Sequence, residues 1–531
     1  MSPPDRDVIV IGAGMGGVYA AHRLMGQGLS VLGIESAPEV GGVWYHNAYP
    51  GARVDLESHY YCYLFDDDLY REWKWSERYA AQPELLRYLK HFADRFDVRR
   101  HFRFGTSVVG ARWDEDGRRW AVQTDAGDVV TARFLVSTTG QLSKSRDPGF
   151  PGLDTFRGRW VQTSHWPQDG VDLKGKKVGI VGTGSSGVQA ATAIAAQAER
   201  LVVFQRTPNY SVPAHNGPAD HELQAELAGD LATVRAKVAA APAGNLTPAY
   251  AGRAADFSAK QRRDLLDERW AFGGQPLLAL FTDQGTNLEA NRIVGDYVRA
   301  KVREVVKDPE VADRVVPDAY PIGTRRLCVD TGYYEIFNQD NVTLVDVRSD
   351  PIRRITPGGI ETKDASHDLD VIVFALGFEA FTGALDQAGV RNAAGELVSD
   401  GWQRGPETYL GLMTAGFPNL FLITGPGSPS VLANMNVHNV QHLDFVGDLI
   451  EHARERGADR IEPTRRAQSE WTAHAAEVAG PLIRRQVDNY MVHVNKDDGS
   501  RVFLPYGGGF HQYVRRCAEV ATTGFRGFDM R

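Results

Sequence analysis

The sequence predicts an α/β fold built around two similar units, and three observations support this prediction. The buried strand 7–11 runs directly into a glycine-rich turn and then a helix. The same succession of strand, glycine-rich turn and helix returns at 178–198. A further short strand follows each unit, at 30–34 and 201–205. Strands that alternate with helices are typical of parallel sheets that carry helices on both faces.

The first unit carries the pattern G-x-G-x-x-G, formed by Gly12, Gly14 and Gly17. Such glycines let the backbone approach a pyrophosphate, which lies at the N-terminus of the following helix. The next strand ends in Glu35, and an acidic residue about 20 residues beyond the glycines can bind a ribose hydroxyl. The first unit therefore predicts a Rossmann-like dinucleotide site, and the alternative is a tight turn that binds no ligand.

Residues 41–55 form an aromatic-rich segment that closes on one acidic residue, Asp55. Loops favour glycine, proline and small polar residues, so the rings of Trp44, Tyr45 and Tyr49 are unexpected in a loop. These flat apolar groups can form a wall for a planar cofactor. The alternative is that the segment packs in the core.

The second unit repeats the glycine pattern with Gly182, Gly184 and Gly187. Its next strand ends in Arg206 rather than in an acidic residue, and Thr207 follows. An acidic residue would favour NAD by binding the 2′-hydroxyl, whereas an arginine suits the 2′-phosphate of NADP. The second unit therefore predicts NADP(H) binding, and the alternative is a solvent-exposed basic residue.

Two dinucleotide sites on one chain indicate electron transfer between two cofactors, which we predict to be NADPH and FAD. A mostly amphipathic, helical pattern follows the second unit, and regular strands resume near residue 342. The predicted fold class is α/β, with two Rossmann-like domains for FAD and NADP and a helical insertion in the NADP domain. The predicted segments are 1–147 and 386–531 for the FAD domain, 152–217 and 331–385 for the NADP domain, and 218–330 for the insertion.

The composition excludes several other classes of protein. A net charge of −8 indicates no general affinity for nucleic acid or acidic membranes. The three cysteines form no C-x-x-C, which argues against a redox dithiol and a cysteine-based zinc site. His438 and His442 stand four residues apart, but Asn439 replaces the glutamate of H-E-x-x-H, so we predict no metal site. Few cysteines and no long apolar run favour a cytoplasmic protein without a membrane span, and no obligate protein partner is evident.

Two fingerprints make the chain resemble the type I Baeyer–Villiger monooxygenases, which are class B flavoprotein monooxygenases dependent on FAD and NADPH. Residues 41–55 fit the family pattern [AG]-G-x-W-x4-[FY]-P-[GM]-x3-D at every fixed position. Residues 156–167 resemble the fingerprint F-x-G-x3-H-x3-W-[PD], with Gln162 in place of the histidine. Two further departures are Leu376 in the family's A-T-G and Tyr490 where many relatives place a tryptophan. Glutamine keeps a hydrogen bond but carries no charge, so we expect retained activity with altered coupling between domains.

The resemblance implies a reaction and the residues that carry it. NADPH reduces FAD, oxygen adds to the flavin as a peroxide, and one oxygen atom is inserted next to a ketone carbonyl to give an ester or lactone. Arg326 matches the family's catalytic arginine because it stands four residues before Asp330. Asp55 is the implied partner that holds Arg326, and Arg325 is the implied ligand of the NADP 2′-phosphate. Without the resemblance, Arg325 and Arg326 would be interpreted as a basic pair on the surface.

The resemblance also implies a set of binding residues. For FAD these are Gly12, Gly14, Gly17, Glu35, Val43, Trp44, Asp55, Tyr61, Val108 and Met435. For NADP they are Gly182, Thr183, Gly184, Ser185, Ser186, Gly187, Gln189, Arg206, Thr207, Arg325 and Tyr490. A small-molecule ketone and O2 are the expected partners, and the substrate loop is Ser430, Val431 and Leu432.

Two other hypotheses remain open from the sequence. The first is a flavin monooxygenase that oxidises nitrogen or sulfur, which product analysis would separate from ketone oxidation. The second is a non-catalytic, nucleotide-responsive binding protein, for which Gln162 and Leu376 are the supporting features. In that protein NADPH would not bleach the flavin in the absence of air.

Overall fold

The first glycine-rich unit belongs to an eight-stranded mixed sheet. A computed structural model describes residues 3–495 and 497–531 of the chain; residues 1–2 and Lys496, which fall in the predicted FAD segments, lie outside the described residues. The N-terminal strand pairs in parallel with strands on both sides, and its Val8, Ile9 and Val10 are fully buried. In order across the sheet, the strands are Val390–Arg391, Val108–Asp114, Arg119–Thr124, Val129–Ser137, Arg6–Ile11, Val31–Ile34 and Phe102–Arg103, with Leu420–Leu422 also pairing with Val129–Ser137.

The second glycine-rich unit belongs to a five-stranded sheet whose strands are all parallel. Its central strands are continuous apolar runs, as expected for a sheet with both faces covered. Across the sheet the order is Val342–Asp346, Arg200–Gln205, Lys177–Val181, Val371–Phe374 and Arg159–Gln162. Smaller sheets are formed by Ser211–Pro213 with Cys328–Asp330, by Ile352–Thr356, Gly359–Thr362 and Ser366–Asp368, by Ile461–Pro463 with Phe528–Met530, and by Val492–Val494 with Arg501–Phe503.

Helices pack against both sheets, Met15–Gly26 against the first and Ser185–Ala195 against the second. The α-helices are Met15–Gly26, Val43–His46, Asp67–Glu72, Gln82–Arg95, Ser185–Ala195, His221–Gly229, Leu231–Ala240, Ala259–Phe272, Leu288–Val305, Pro309–Val315, Gly383–Gln387, Met435–Glu455, Arg465–Ala479 and Phe510–Thr522. The 3₁₀ helices are Arg99–His101, Leu153–Thr155, Ala254–Asp256, Gln275–Ala279, Glu335–Asn338, Val398–Trp402, Ser430–Leu432 and Ile483–Gln486. Side-chain caps explain several starts: Asn287, for example, accepts from two backbone N–H groups at the start of Leu288–Val305.

The inserted region is less uniformly helical than its sequence pattern predicts. Residues 241–253 form no helix, and the region ends in the strand Cys328–Asp330. That strand pairs in parallel with Ser211–Pro213, so the chain enters and leaves the insertion side by side. Asp330 strengthens the junction because its buried carboxylate accepts hydrogen bonds from the Ser211 hydroxyl and from two backbone N–H groups.

The aromatic segment 41–55 contacts both halves of the molecule. It contains the short helix Val43–His46, which the sequence predicts only as a turn. At its far end, a Cβ placed on Gly51 would lie 2.6 Å from the Gln189 carbonyl oxygen, in the helix after the second glycine-rich turn. Only glycine allows this approach, because the position also has a φ of +83°. The two glycine-rich units are therefore joined through this segment.

Candidate active site

One large cavity lies between the two glycine-rich units and has a volume of about 2080 Å³. A pocket for one small molecule is typically ~300–1,000 Å³, so this volume suits two large ligands. Both glycine-rich turns, the aromatic segment 41–55 and the pair Arg325–Arg326 contribute to the wall. The cavity therefore brings together groups that are hundreds of residues apart in sequence.

The three glycines of the first turn have three different surroundings. Gly12 has a φ of +100°, and a Cβ there would lie 2.9 Å from the Thr138 carbonyl oxygen. A Cβ on Gly17 would overlap the Gly12 carbonyl oxygen, so this glycine allows the helix to pack on the strand. Gly14 lies on the cavity wall, where a Cβ would come no closer than 3.5 Å to Gly42. This is the division of roles expected of a pyrophosphate-binding turn.

Glu35 lies on the cavity wall at the end of the second strand and is only 5% exposed. Its carboxylate accepts hydrogen bonds from the backbone N–H groups of Ala13, at 2.6 Å, and Ala37, at 2.7 Å. The carboxylate is thereby held against the glycine-rich turn. Oε1 also accepts from the Ser36 hydroxyl at 3.2 Å, whereas Oε2 has capacity for a further donor, such as a ribose hydroxyl.

The second glycine-rich turn repeats the arrangement of the first. Gly182 has a φ of +106°, and a Cβ there would lie 2.5 Å from the Ala375 carbonyl oxygen. A Cβ on Gly187 would overlap the Gly182 carbonyl oxygen. At Gly184, which lines the cavity, a Cβ would meet nothing within 4 Å. The open space beside Gly184 is the cradle that a pyrophosphate needs, so the residues present fit a dinucleotide.

Two arginines from separate segments line the same cavity as the second turn. Arg206 and Arg325 both line the cavity. The Arg325 guanidinium carbon lies 4.6 Å from the centre of the Tyr320 ring, and its Nε is buried without a hydrogen-bond partner among the described residues. Thr207 is fixed against the turn because its carbonyl oxygen accepts from the Thr183 hydroxyl at 3.1 Å. Two cations that share a cavity with a glycine-rich turn suit a phosphate in addition to the pyrophosphate.

Arg326 and Asp55 form the charged pair at the centre of the cavity. Arg326 Nε donates to Asp55 Oδ2 and Nη2 donates to Oδ1, each at 2.7 Å, so the pair is bidentate. The remaining Nη1 donates to the Val431 carbonyl oxygen at 3.2 Å. Asp55 raises the pKa of Arg326 further above its usual value. The arginine therefore carries a fixed positive charge with a defined orientation.

Gln275 adds a second contact to this pair. Its Nε2 donates to the Leu327 carbonyl oxygen at 2.9 Å and lies 3.5 Å from Asp55 Oδ2. Gln275 belongs to the insertion, and no sequence signal marks it because the preceding glycines suggest only a turn. Arg484 is a second residue on the cavity wall that the sequence motifs do not identify.

The aromatic segment provides part of the wall, as one of its two interpretations predicts. Trp44 and Tyr49 line the cavity, and Trp44 Nε1 donates to the Tyr61 hydroxyl at 3.2 Å. The Tyr49 hydroxyl donates to Gln189 Oε1 at 2.9 Å. Tyr45 does not line the cavity, which corrects the expectation for this residue. The Tyr45 ring instead packs edge-to-face against the His46 ring, with 5.3 Å between the ring centres.

Most of the remaining residues implied by the resemblance also lie on the cavity wall. Among them are Val43, Tyr61, Val108, Thr183, Ser185, Ser186, Gln189, Val431, Leu432, Met435 and Tyr490. Gly17, Gly187 and Ser430 do not reach the wall. Ser430 is fully buried with a φ of +48°, and the 3₁₀ turn directs its hydroxyl into the core, where it has no partner among the described residues.

The fingerprint segment joins the second sheet to the aromatic segment. Gln162 Nε2 donates to the Arg146 carbonyl oxygen at 3.0 Å, and His165 Nδ1 lies 3.0 Å from the Ser145 hydroxyl. The Trp166 backbone N–H donates to the His46 carbonyl oxygen at 2.9 Å. The Gln162 amide thus bonds a neutral backbone carbonyl, and this contact does not require the positive charge that a histidine could carry.

His438 and His442 form a buried polar pair away from the cavity wall. Neither is exposed, and their Nε2 atoms lie 2.8 Å apart. The Thr424 backbone N–H donates to His442 Nδ1 at 3.0 Å, so this nitrogen carries no proton. Within residues 3–495 and 497–531, no group of His, Cys, Asp and Glu side chains has the arrangement of a metal site. The same residues include no helix with the length and apolarity needed to cross a membrane.

Comparison with known proteins gives consistent results. A family model described as pyridine nucleotide-disulphide oxidoreductase matches residues 6–296. An acetone monooxygenase (methyl acetate-forming) from Gordonia sp. (strain TY-5) is 38% identical over 100% of both chains. A Baeyer-Villiger monooxygenase from Pseudooceanicola batsensis is 38% identical over 98% of this chain and 95% of that protein. The solved structure of OTEMO in complex with FAD and NADP superposes with a TM-score of 0.96 at 39% identity, covering 100% of both chains.

Proposed function

We propose, from the premise that this chain belongs to the type I Baeyer–Villiger monooxygenases, that Arg326 and Asp55 are its catalytic pair. The chain is an NADPH-dependent flavin monooxygenase that inserts one atom of O2 next to a ketone carbonyl, giving an ester or lactone. The names of the relatives favour this reaction over oxidation of nitrogen or sulfur. The bidentate contact between Arg326 and Asp55 on the cavity wall is the observation that carries the assignment of the pair.

FAD and NADPH are the cofactors, and the two glycine-rich turns are the places that suit them. When bound, they supply the reducing electrons and the activation of oxygen. We propose that the FAD dinucleotide lies on the turn of Gly12 and Gly14, with Glu35 at its ribose. We propose that NADPH lies on the turn of Gly182 and Gly184. Thr183, Ser185 and Ser186 would contribute to the second site through their positions on the cavity wall.

The chemical role of Arg326 follows from its permanent charge. Negative charge develops on the ketone oxygen when the carbonyl carbon is attacked, and a positioned donor at such an oxygen contributes about 3–4 kcal/mol. Arginine stays protonated at any working pH, and Asp55 raises its pKa further. Arg326 therefore stabilises the anion without moving a proton.

The neighbours of Arg326 have supporting roles in this proposal. Asp55 fixes the plane of the guanidinium, and Gln275 restrains both the carboxylate and the backbone next to Arg326. Val431, Leu432 and Tyr490 give the same part of the cavity an apolar wall. Exclusion of water by such residues strengthens the electrostatic effect of Arg326 and protects reactive species from hydrolysis.

Selection of NADPH rather than NADH is assigned to Arg206 and Arg325. Both line the cavity that the second turn also lines; Arg206 precedes the proposed insertion 218–330, and Arg325 lies near its end. A 2′-phosphate between them would satisfy the buried Arg325 Nε, which has no partner among the described residues. Gln189 acts differently in this proposal, since its side chain already bonds Tyr49 and Arg53 and holds the two domains together.

The domain division and the cellular location are further parts of the proposal. We assign 1–147 and 386–531 to one domain because the strands Val390–Arg391 and Leu420–Leu422 join the first sheet. We assign 152–217 and 331–385 to the other domain, with 218–330 inserted. A cytoplasmic location is supported by three cysteines that are all free and buried.

The test is a turnover assay with NADPH, air and a panel of cyclic and linear ketones, with products identified by mass spectrometry. We expect a product that is heavier by one oxygen and has the fragmentation of an ester. Arg326→Ala should abolish that product while the protein still oxidises NADPH and releases hydrogen peroxide. Conversion of sulfides or amines alone, with every ketone untouched, would contradict the proposal.

A further inference from the structure

Three arginines on the cavity wall have no carboxylate partner among the described residues. Within residues 3–495 and 497–531, the guanidinium groups of Arg206, Arg325 and Arg484 make no ion pair and no hydrogen bond. The other arginines and lysines on the wall have partners: Arg326 bonds Asp55, Arg53 lies 2.6 Å from Glu77, and Lys144 lies 2.6 Å from Glu379. The exposed Arg146 donates to the Phe378 carbonyl oxygen at 3.2 Å. The unpaired arginines are therefore the positions at which the cavity offers positive charge to a ligand.

The proposed function uses two of these three arginines and leaves Arg484 without a role. Arg484 lies in the 3₁₀ helix Ile483–Gln486, far in sequence from both nucleotide-binding units. The charged and titratable groups that affect it are Tyr490, Tyr250 and Arg326, and none of them is a carboxylate. Arg484 therefore lies towards the catalytic arginine, in the part of the cavity where the ketone has to bind.

The positive charge of Arg484 is not neutralised by any described residue of the chain, so a bound anion would stabilise it. Burial lowers the pKa of Arg484, and the positive charge of Arg326 acts in the same direction. Arg484 also borders a separate void of about 20 Å³, which has room for about one water molecule and not for a carboxylate. Of the two cavities that Arg484 borders, only the large one has room for a counter-anion.

We propose that Arg484 binds an acidic group on the substrate, and that the ketones this enzyme prefers carry a carboxylate. This inference rests on the proposed function and names the substrate class for that site. Arg326 acts at the carbonyl, whereas Arg484 holds the carboxylate and so fixes which side of the carbonyl faces the site of oxidation. Leu246, Leu278 and Leu432, which line the cavity, suit the hydrocarbon part of such a keto acid.

The test compares two ketones of the same shape, 3-oxocyclohexanecarboxylate and 3-oxocyclohexanecarboxamide, with the holoenzyme. We expect the wild type to prefer the acid at least tenfold in kcat/KM. Arg484→Gln should lower kcat/KM for the acid by roughly ten- to a hundredfold, because a hydrogen-bonded charge pair is lost. The amide should change by less than about twofold, and Arg484→Lys should keep part of the preference. Arg485→Gln is the matched control, because the neighbouring arginine does not line the cavity.

A binding measurement gives a readout that does not depend on turnover. Cyclohexanecarboxylate should raise the melting temperature of the wild-type holoenzyme and of Arg485→Gln, with a smaller effect at high salt. It should not raise the melting temperature of Arg484→Gln. Cyclohexylmethanol, which has no charge, should act equally on all three proteins.

The outcomes separate this inference from the proposed function. Equal turnover of acid and amide by the wild type would overturn the inference while the proposed function stands. A higher KM for NADPH in Arg484→Gln, with acid and amide equally affected, would also overturn it, because Arg484 would then belong to the nucleotide site. If no ketone is oxidised at all, the proposed function fails, and loss of carboxylate binding in Arg484→Gln would still support an anion site.

Discussion

At the scale of single residues, the pair Arg326–Asp55 is the most sensitive point of the molecule. Its two hydrogen bonds of 2.7 Å join segments that lie 271 positions apart in sequence. Each partner therefore fixes the position of the other, and the pair also connects the aromatic segment to the end of the insertion. Loss of either partner should affect both the chemistry and the folding.

Asp55→Asn should lower kcat for ester formation by about a hundredfold, because Arg326 is no longer held in one orientation. The free energy of unfolding should fall by about 1–3 kcal/mol. That is less than the ~3–5 kcal/mol of a fully buried pair, because the Arg326 side chain is 39% exposed and solvent screens its charge. Steady-state kinetics and urea denaturation are the measurements. The double variant with Arg326→Met should be less destabilised than the sum of the two single variants, and simple additivity would argue against coupling.

Arg206→Ala should raise KM for NADPH by roughly ten- to a hundredfold and leave KM for NADH nearly unchanged. The reason is that only NADPH carries the 2′-phosphate that a guanidinium binds through charge-assisted hydrogen bonds. Kinetics with both nucleotides are the measurement. Arg200→Ala is the control because Arg200 begins the strand that Arg206 follows, but is exposed and lies off the cavity wall. An equal loss with NADH would mean that Arg206 does not contact the 2′-phosphate.

At the scale of elements, each glycine-rich turn combines a packing role with a binding role. A Cβ added to Gly182 or Gly187 would collide with a backbone carbonyl oxygen, whereas a Cβ on Gly184 would enter open space. The two roles can therefore be separated by a single methyl group placed at different positions of one turn.

Gly184→Ala should leave the melting temperature nearly unchanged but weaken NADPH binding at least tenfold. Its φ of −77° suits alanine, and the new methyl group would occupy the space of the pyrophosphate. Gly187→Ala should instead destabilise the fold, because its Cβ would overlap the Gly182 carbonyl oxygen. Thermal unfolding and nucleotide titration of both variants are the measurements. Equal destabilisation of the two variants would contradict this separation of roles.

At the scale of the whole molecule, stability should depend on pH through the buried His438–His442 pair. Burial lowers the pKa of His438 to about 3 and that of His442 well below its usual value. A histidine that is neutral in the fold contributes its stability above the pKa of the unfolded chain, about 6.5. That stability is lost as pH falls, because the unfolded chain then binds protons that the folded protein cannot bind. Next to the pair, Tyr513 contacts both His442 and Cys517. Burial raises the pKa of Cys517 to about 12 and that of Tyr513 well above its usual value, so Tyr513 and Cys517 are uncharged near neutral pH.

Between pH 6.5 and 4.5 the free energy of unfolding should therefore fall by up to about 1.4 kcal/mol per pH unit for each histidine. Urea denaturation at several pH values is the measurement. His438→Gln should reduce the slope, even if its stability at pH 7.5 is lower. The exposed His221, replaced by Gln, serves as the control and should keep the wild-type slope. An identical slope for wild type and His438→Gln would exclude this source of acid sensitivity.

Local patterns in the sequence were sufficient for the class of fold, both dinucleotide units and the cofactors. Each of these features depends on residues close together in the chain, because strand, turn and helix follow one another directly. The fingerprint 41–55 likewise indicated the reaction, because its residues form one continuous segment.

Only the tertiary structure decided what meets in the cavity. It separated Trp44 from Tyr45, excluded Ser430 from the wall, and brought Gln275 and Arg484 to it from segments without a recognisable motif. These outcomes depend on the rotation of short helices and on how residues 218–330 pack against the rest of the chain. Such contacts join residues far apart in the chain, so their energy leaves no periodic signal along the sequence. Which cations of the wall are paired is one of these outcomes: Arg326 meets Asp55, whereas Arg484 meets no carboxylate among the described residues.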